Sequence, residues 1–193
     1  MNRPITWNQQ GVTGAPGGTG LQGPVGPQGP AGATVNTCTS PPGPNLNFSF
    51  CNLNGSFLVD AVFAHSLLIG TKFEGDLMIG ADLSNTDLRV SALDNAQLTQ
   101  ANLGGANLTS ADLNSAHLQF ANLFGDNLSY AMLIGADAAN ADLRYVDFTN
   151  ANLTGATFIG AKVIGVTWSF TTCPDGTNSD NNGGTCLGHG GGL

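Results

Sequence analysis

Four cysteines are the residues in this sequence whose spacing most directly implies covalent chemistry. They form two close pairs, Cys38 with Cys51 and Cys173 with Cys186, among Gly-, Asn- and Thr-rich residues. Such pairs are typical of disulfides in an oxidising compartment, whereas a structural zinc site would use CxxC spacing or a neighbouring pair of histidines. The cysteines therefore favour disulfides over a metal site or catalytic thiols.

An oxygen-rich run near the C-terminus is similar to the start of a calcium-binding loop. Its candidate ligands are Asp175, Asn178, Asp180 and Asn182. The bidentate glutamate that normally completes such a loop is missing. The alternative is an ordinary turn rich in Asx and Gly, and we expect no other metal site and no cofactor.

Catalytic groups are not brought together by any motif in the sequence. His65 and His117 lie far apart, His189 lies in the tail, and no GxSxG, HExxH or phosphate-binding loop occurs. Catalysis needs a base, a nucleophile and oxyanion donors positioned in one pocket. We therefore expect a protein that is not an enzyme.

The charge balance limits the partners of the chain. The 193 residues carry a net charge of -8 and only 9% of them are charged. Direct nucleic-acid binding needs clustered Lys and Arg, so it is not expected, although an acidic surface can meet a basic protein. The most apolar window, residues 57–70, is too short for a membrane span of about 20 residues.

The element that organises most of the chain is a repeat of five residues. Starting at Phe48 every fifth residue is apolar up to Trp168, which gives 25 units without an insertion. Two residues before most of these apolar positions stands a small residue, usually Ala, as in Ala101 and Ala121. Helices and strands bury a residue every 3.6 or 2 positions, so neither explains the period.

The units ANLTS, ADLNS, ANLFG and ADLRY resemble the pentapeptide-repeat family, A(D/N)LXX, over about two thirds of the chain. This resemblance implies an all-β fold, a right-handed quadrilateral parallel β-helix with four units per square turn and about six coils. Stacked at every twentieth residue, one interior column would contain Leu68, Leu88, Leu108, Leu128, Phe148 and Trp168. Outward amides such as Asn102 and Asn122, or Asn107 and Asn127, would stack as ladders.

Other segments flank the repeat at 48–168. A lead at 1–10 is followed at 11–34 by eight Gly-X-Y triplets, which are the collagen period. This arm would form a triple helix and make a homotrimer, or it would serve as a flexible linker. A junction at 35–47 leads into the repeat, and 169–193 is expected to cap the last coil with a Cys173–Cys186 bridge.

Outward positions of the first coils are unusually apolar. The residues are Phe57, Val59, Val62, Leu67, Ile69, Leu77 and Ile79. Exposed apolar patches usually mark contact surfaces, so the sequence predicts self-association or binding of another partner here. The alternative is that the junction containing Cys38 folds back and covers the patch.

The functional hypothesis is a non-enzymatic scaffold that binds an unidentified protein or surface partner through the faces of the β-helix. The C-terminal Trp-Ser, Cys-Pro-Asp-Gly and Gly-Gly-Thr-Cys segments resemble those of secreted bacterial pentapeptide proteins. That favours an extracellular or cell-surface location, with a cytoplasmic one as the alternative. A rival hypothesis, implied by the family, is DNA mimicry toward a type II topoisomerase. It requires a continuous acidic stripe, and the sequence places neutral Asn between Asp82 and Asp142 and between Asp87 and Asp147.

Overall fold

The structure is a computed structural model that describes residues 38–193. The lead at 1–10, the Gly-X-Y arm at 11–34 and residues 35–37 of the junction lie outside the described residues. The trimer predicted through 11–34 therefore stays a prediction. Among residues 38–193, a short 3-10 helix spans Ser179–Asn182. No helix among these residues has the length and apolar character needed to cross a membrane.

The repeat winds into a parallel β-helix. Parallel bridges join residue i to residue i + 20 at every fifth position, from Asn47 with Leu67 to Asn152 with Thr172. Backbone hydrogen bonds join successive coils; the Phe48 N–H, for example, donates to the Leu67 carbonyl at 2.8 Å. On each side of the square, one residue forms a β-bridge with the neighbouring coil before the chain turns. The strands are therefore only one bridged residue long. The predicted all-β, parallel β-helical architecture is confirmed.

Each corner is a tight turn that directs the chain from one side of the square to the next. At the first corner the Cys51 N–H donates to the Phe48 carbonyl at 2.9 Å, and Phe50 between them has a φ of 60°. The same left-handed conformation recurs around the coil. It is easiest for Gly and Asn, which occupy many of the corners, whereas Val90 at φ 52° is a β-branched exception.

The interior is filled by the central residue of each pentapeptide and by the small residue two positions earlier. All six members of the predicted interior column are buried. Aromatic rings fill the two ends of the core: Phe48 packs edge-on against Phe63, and Phe148 stacks on Trp168 with ring centroids 5.4 Å apart. Small residues between large ones keep the narrow core from being overpacked.

The coil register continues one unit beyond Trp168. Thr172 bridges to Asn152, and the Leu153 N–H donates to the Thr172 carbonyl at 2.8 Å. Cys173 takes the central inward position of this unit and is fully buried. The end that the sequence suggested for the repeat is thus extended, because a cysteine replaces the expected leucine or phenylalanine.

Both cysteine pairs are bonded, Cys38 to Cys51 and Cys173 to Cys186. The first bridge ties the junction to the first coil, where the Ser66 hydroxyl donates to the Gly43 carbonyl. The second ties the tail to the last unit, and the Phe158 N–H donates to the Gly191 carbonyl at 2.5 Å. Tail residues therefore satisfy part of the backbone edge that the last coil leaves unpaired.

At several corners a large side chain leans over the glycine that occupies the same corner one coil later. A Cβ built at Gly165 would lie 2.6 Å from Cδ1 of Tyr145, and one at Gly70 would lie 2.8 Å from Cδ1 of Phe50. At these positions glycine adopts the positive φ without strain and leaves the space that the ring above occupies.

Replacing Gly165 with alanine is therefore expected to destabilise the fold by about 1–3 kcal/mol. Gly75→Ala is the matched control, since its φ of 69° is close to the 73° of Gly165 but an added Cβ meets nothing within 4 Å. The urea midpoint of Gly165→Ala should lie below that of Gly75→Ala. Equal midpoints would mean that the Tyr145 ring moves aside at no cost.

Candidate functional site

The apolar residues predicted as a contact patch lie outward on the first two coils, distributed over three sides of the square. Phe57 and Leu77 are bridged neighbours on one side, and Val62 and Leu67 lie on the next two sides. We call the seven residues Phe57, Val59, Val62, Leu67, Ile69, Leu77 and Ile79 the apolar band. Phe57 is 52% exposed, while Val59 and Ile69 at the corners are half-buried.

The acidic residues of the coil faces form interrupted columns. Bridges run from Asp82 through Asn102 and Asn122 to Asp142, and a second column runs from Asp87 through two asparagines to Asp147. Arginines neutralise part of the remaining charge. Arg144 lies 2.7 Å from Asp142 and Arg89 lies 2.7 Å from Asp87, and these hydrogen bonds lower the pKa of both carboxyl groups. The described faces carry no continuous acidic stripe along these two columns.

A surface groove of about 670 Å³ lies along the first of these columns and the corner that follows it. Asn102 and Asn122 line it together with Phe124, Asp142 and Arg144. Its other lining residues are small or polar and occupy the turn positions, namely Ser84, Asn85, Gly104, Gly105 and Gly125. We call it the amide groove.

The two amides in this groove are connected in a ladder. The Asn122 Nδ2 donates to the Asn102 Oδ1 at 2.8 Å, and the Asn102 Nδ2 donates to the Asp82 Oδ1 at 3.2 Å. The predicted ladder at Asn102 and Asn122 is therefore confirmed. All four asparagines accept hydrogen bonds from backbone N–H groups two residues later in their own units, and for Asn107 and Asn127 these are the contacts found in place of a ladder.

The far end of the groove combines an ion pair with aromatic rings. Asp142 accepts from Nε of Arg144 at 2.8 Å and from its Nη2 at 2.7 Å, a bidentate geometry that fixes the guanidinium. The same guanidinium lies 5.2 Å from the centroid of the Phe124 ring. Tyr145 packs edge-on against Phe124 with centroids 5.4 Å apart. The ring of Phe124 is thereby held in place while 43% of the residue stays exposed.

Glycines keep the groove open. A Cβ at Gly104 would come within 3.0 Å of the Asn122 Nδ2, and one at Gly125 would meet nothing within 4 Å. The same turn position of this corner carries Phe124, Arg144 and Ile164 on the following coils, so the fold itself tolerates larger groups there. The opening thus results from residue choice at this corner and not from the geometry of the coil.

The calcium candidates in the C-terminal segment are engaged in separate local hydrogen bonds. Asp175 accepts from Thr177, which holds the pKa of that carboxyl below its usual range, and the Asp180 Oδ1 accepts from the Phe170 N–H at 2.9 Å. Asn178 accepts from the Asp180 N–H, and the Asn182 Nδ2 donates to Thr177. A calcium site there stays a prediction, and the contacts described are those of Asx turns.

Metal-ligating side chains do not cluster within residues 38–193: no group of three or more His, Cys, Asp or Glu could hold an ion there. Of the histidines, His189 lies 3.2 Å from Asp175 in the tail. His117 lies on the outward face of a coil, bridged to Gln97 and Asp137. The geometry does not bring the histidines together.

Two carboxyl groups inside the coil were missed by sequence reasoning. Asp76 and Asp126 occupy the small inward position of their pentapeptides and are each 1% exposed. Burial raises the pKa of Asp76 to about 7, against the opposing effect of the N–H groups of Gly55 and Ser56. Burial also raises the pKa of Asp126 well above its ordinary value. The five-residue register places both side chains inside the coil. Assigning every residue at this inward position to the interior, and not only the alanines, would have predicted them.

In both residues the Oδ1 accepts from the backbone of the preceding coil; for Asp126 the donor is the Ala106 N–H at 3.0 Å. The Oδ2 of each has no hydrogen-bond partner among the described residues. A buried charge without a partner on one oxygen is unfavourable, so both groups stay neutral to a higher pH than an exposed aspartate does.

Comparison with protein-family models finds pentapeptide repeats in eight copies, over residues 45–75, 58–89, 91–129 and 131–167. Comparison with curated proteins finds no similar sequence.

Three pentapeptide-repeat proteins are among the solved structures that this chain resembles. QnrB1, a plasmid-mediated fluoroquinolone resistance protein, is 19% identical, covers 64% of this chain and 77% of its own, and has a TM-score of 0.49. HetL, involved in heterocyst differentiation regulation in the cyanobacterium Nostoc, is 24% identical over 69% of this chain and 78% of its own, with a TM-score of 0.30. Rfr23 from the cyanobacterium Cyanothece is 22% identical over 65% of this chain and 83% of its own, with a TM-score of 0.39.

Proposed function

The chain belongs to the pentapeptide-repeat family, and from this premise we propose that it is a non-enzymatic interaction scaffold, exported from the cell, whose apolar band contacts a protein partner. The partner is either a second copy of this chain or another protein with an apolar surface. Rigid coils hold outward side chains in fixed rows, which suits a contact surface.

The observation that carries the proposal is the exposure of the apolar band. Phe57 is 52% exposed and its bridged neighbour Leu77 is 38% exposed. Later positions of the same column are Gln97, His117, Asp137 and Thr157, which are polar. Exposed apolar side chains confined to one end of the coil column are typical of an interface.

The finer architecture is part of the same proposal. We infer a right-handed rod of about six coils, closed at its C-terminal end by the segment that Cys173–Cys186 ties down. Two disulfides support an oxidising location and hence export. Covering a sheet edge also limits pairing with foreign strands, which is the purpose that a cap would serve.

A photo-crosslinking experiment tests the contact. A benzophenone amino acid replaces Phe57 in the full chain, and the matched control carries it at Thr157, on the same side of the coil near the other end. In the producing cells, the proposal expects one defined crosslinked product from position 57 and none of that mass from position 157. Equal products from both positions, or none from either, would contradict it.

The Gly-X-Y arm at 11–34 is proposed to assemble three copies. Light scattering of the full chain and of a chain lacking 11–34 distinguishes the alternatives. A trimer that becomes a monomer supports assembly by the arm, whereas an unchanged mass reduces the arm to a linker.

DNA mimicry toward a type II topoisomerase is not favoured by any contact of the described residues. Asparagines interrupt both acidic columns, and Arg89 and Arg144 bind Asp87 and Asp142. We expect the purified protein to leave DNA supercoiling by such an enzyme unchanged, as measured by gel mobility of a relaxed plasmid. Inhibition at stoichiometric protein concentration would restore the rival hypothesis.

A further inference from the structure

We propose that the amide groove is a binding site for a neutral oligosaccharide, separate from the apolar band and independent of the partner proposed there. The groove combines planar amides, a fixed guanidinium and carboxylate, and an exposed aromatic ring within about 670 Å³. That volume lies within the range of roughly 300–1,000 Å³ found for ligand sites.

The polar groups suit hydroxyl-rich ligands. A sugar hydroxyl both donates and accepts, and each ladder amide keeps one N–H group that can donate to it. The Asn102 Oδ1 already accepts from the Gly104 N–H and the Asn122 Nδ2, whereas the Asn122 Oδ1 accepts from the Phe124 N–H and keeps a second lone pair. The ladder from Asn122 through Asn102 to Asp82 fixes the orientation of the amides before any ligand arrives. Fixed donors and acceptors lower the entropy lost on binding, which matters for ligands that gain little from apolar contact.

Access to these groups comes from Gly104. Because a Cβ there would lie 3.0 Å from the Asn122 Nδ2, the missing side chain leaves that amide nitrogen at the surface of the groove. The nitrogen carries two N–H groups, and the ladder uses one of them. The second N–H is therefore placed to donate to a ligand oxygen.

The aromatic ring supplies the complementary apolar contact. Sugars present C–H groups on one face of the ring, and an exposed aromatic side chain can pack against that face. Phe124 is held by Tyr145 at 5.4 Å and by the Arg144 guanidinium, so its position is set in advance. An apolar ligand is a poorer fit, because Phe124 is the one apolar side chain in a lining otherwise made of amides, an ion pair, Ser84 and three glycines.

The net charge of the groove favours a neutral sugar over an anionic ligand. Arg144 binds Asp142 in a bidentate pair, and Lys162 lies 3.5 Å from the same carboxylate. Asp82 at the other end of the ladder supplies a second negative charge. The two cations and two carboxylates cancel, so the site has no excess positive charge for a phosphate or sulfate.

Spacing adds a further constraint. Bridged residues of successive coils lie about 4.8 Å apart, which is close to the advance per sugar unit of an extended β-linked glycan. Asn102 and Asn122 are bridged neighbours and would therefore contact successive sugar units. An extended β-linked oligosaccharide matches this arrangement better than a coiled α-linked one.

Isothermal titration calorimetry of the full chain with cellohexaose, chitohexaose and maltohexaose tests the site, with a heparin hexasaccharide as the anionic probe. Two variants disturb the groove: Phe124→Ala removes the ring, and Ser84→Phe fills the opening at a turn position where Phe124 stands two coils later. Thr109→Phe places the same bulk at a turn position on another corner. Circular dichroism melts confirm that each variant is folded.

The proposal expects one of the β-linked hexasaccharides to bind at millimolar concentration or below. Phe124→Ala and Ser84→Phe should weaken that binding at least tenfold, and Thr109→Phe should leave it unchanged. The proposal is overturned if no neutral sugar binds, if only the heparin fragment binds, or if Ser84→Phe binds as well as the unaltered chain. None of these outcomes affects the crosslinking result at Phe57.

Discussion

Replacing Asp126 with asparagine is expected to stabilise the folded chain at neutral and alkaline pH. In the fold, burial raises the pKa of this carboxyl well above its ordinary value, so the group is protonated where the unfolded chain is ionised. Unfolding then releases a proton, and the stability of the chain falls as pH rises. The loss is about 1.4 kcal/mol for every pH unit between roughly 4 and the folded-state pKa.

Asparagine cannot ionise but keeps the carbonyl oxygen that accepts from the Ala106 N–H. Asp126→Asn and the unaltered chain should therefore have similar unfolding free energies near pH 4, and the variant should gain steadily above it. Urea denaturation between pH 4 and pH 9 measures the difference. Asp112→Asn, an outward change of equal charge, serves as the control; a parallel gain there would assign the effect to net charge.

Asp76→Asn should also stabilise the folded chain, but the gain should stop growing at a defined pH. Because burial raises the pKa of Asp76 to about 7, its destabilising effect grows between roughly pH 4 and pH 7 and is constant above that. The total is about 4 kcal/mol, from the difference between the two pKa values. A plateau of the stability difference near pH 7 would identify this group separately from Asp126.

Leu108→Asp is expected to abolish folding of the rod. Leu108 is fully buried in the central coils, and a carboxylate there would lie among leucines with no partner. Each coil contacts only its neighbours, so a central defect removes the template for both halves. The β-type circular dichroism spectrum should be lost, and the milder Leu108→Ala should cost about 2–5 kcal/mol.

Asn107→Asp, one residue earlier, is the matched control. At equivalent outward positions Asp147 accepts from the Thr149 N–H at 2.9 Å, as Asn107 does from the Thr109 N–H at 3.1 Å. The substituted carboxylate can make the same bond, and the spectrum should be retained. A folded Leu108→Asp chain would contradict the interior position assigned to this column.

The five-residue period was enough to predict most of the fold. Because every coil repeats after twenty residues, the sequence alone assigns Leu68 and Trp168 to one interior column and Asn102 and Asn122 to one outward row. Cysteine spacing likewise predicted the Cys173–Cys186 bridge, while it left the pairing of Cys38 with Cys51 open. These features depend only on the spacing of residues along the chain, which can be counted directly in the sequence.

Side-chain conformations are not encoded in the register. It places Arg144 two residues after Asp142, but it does not predict that the guanidinium turns back to bind that carboxylate and lies against Phe124. The amide groove depends on these conformations and on glycines at neighbouring turns. The irregular tail, where Gly191 accepts from the Phe158 N–H, was equally beyond prediction because no period governs it.

The twenty-residue bridge register also determines which changes in length the protein can absorb. Removing twenty consecutive residues from the central coils would shorten the rod by one layer and leave every side in its original direction. Removing five would keep the interior intact but rotate everything downstream by a quarter turn. If the five residues are taken from between Ile79 and Asn102, the part of the amide groove from Asn102 onward would face a different direction relative to the apolar band. Insertions and deletions in multiples of five between them thus change the angle between the two proposed binding surfaces, whereas any other length would turn the core outward.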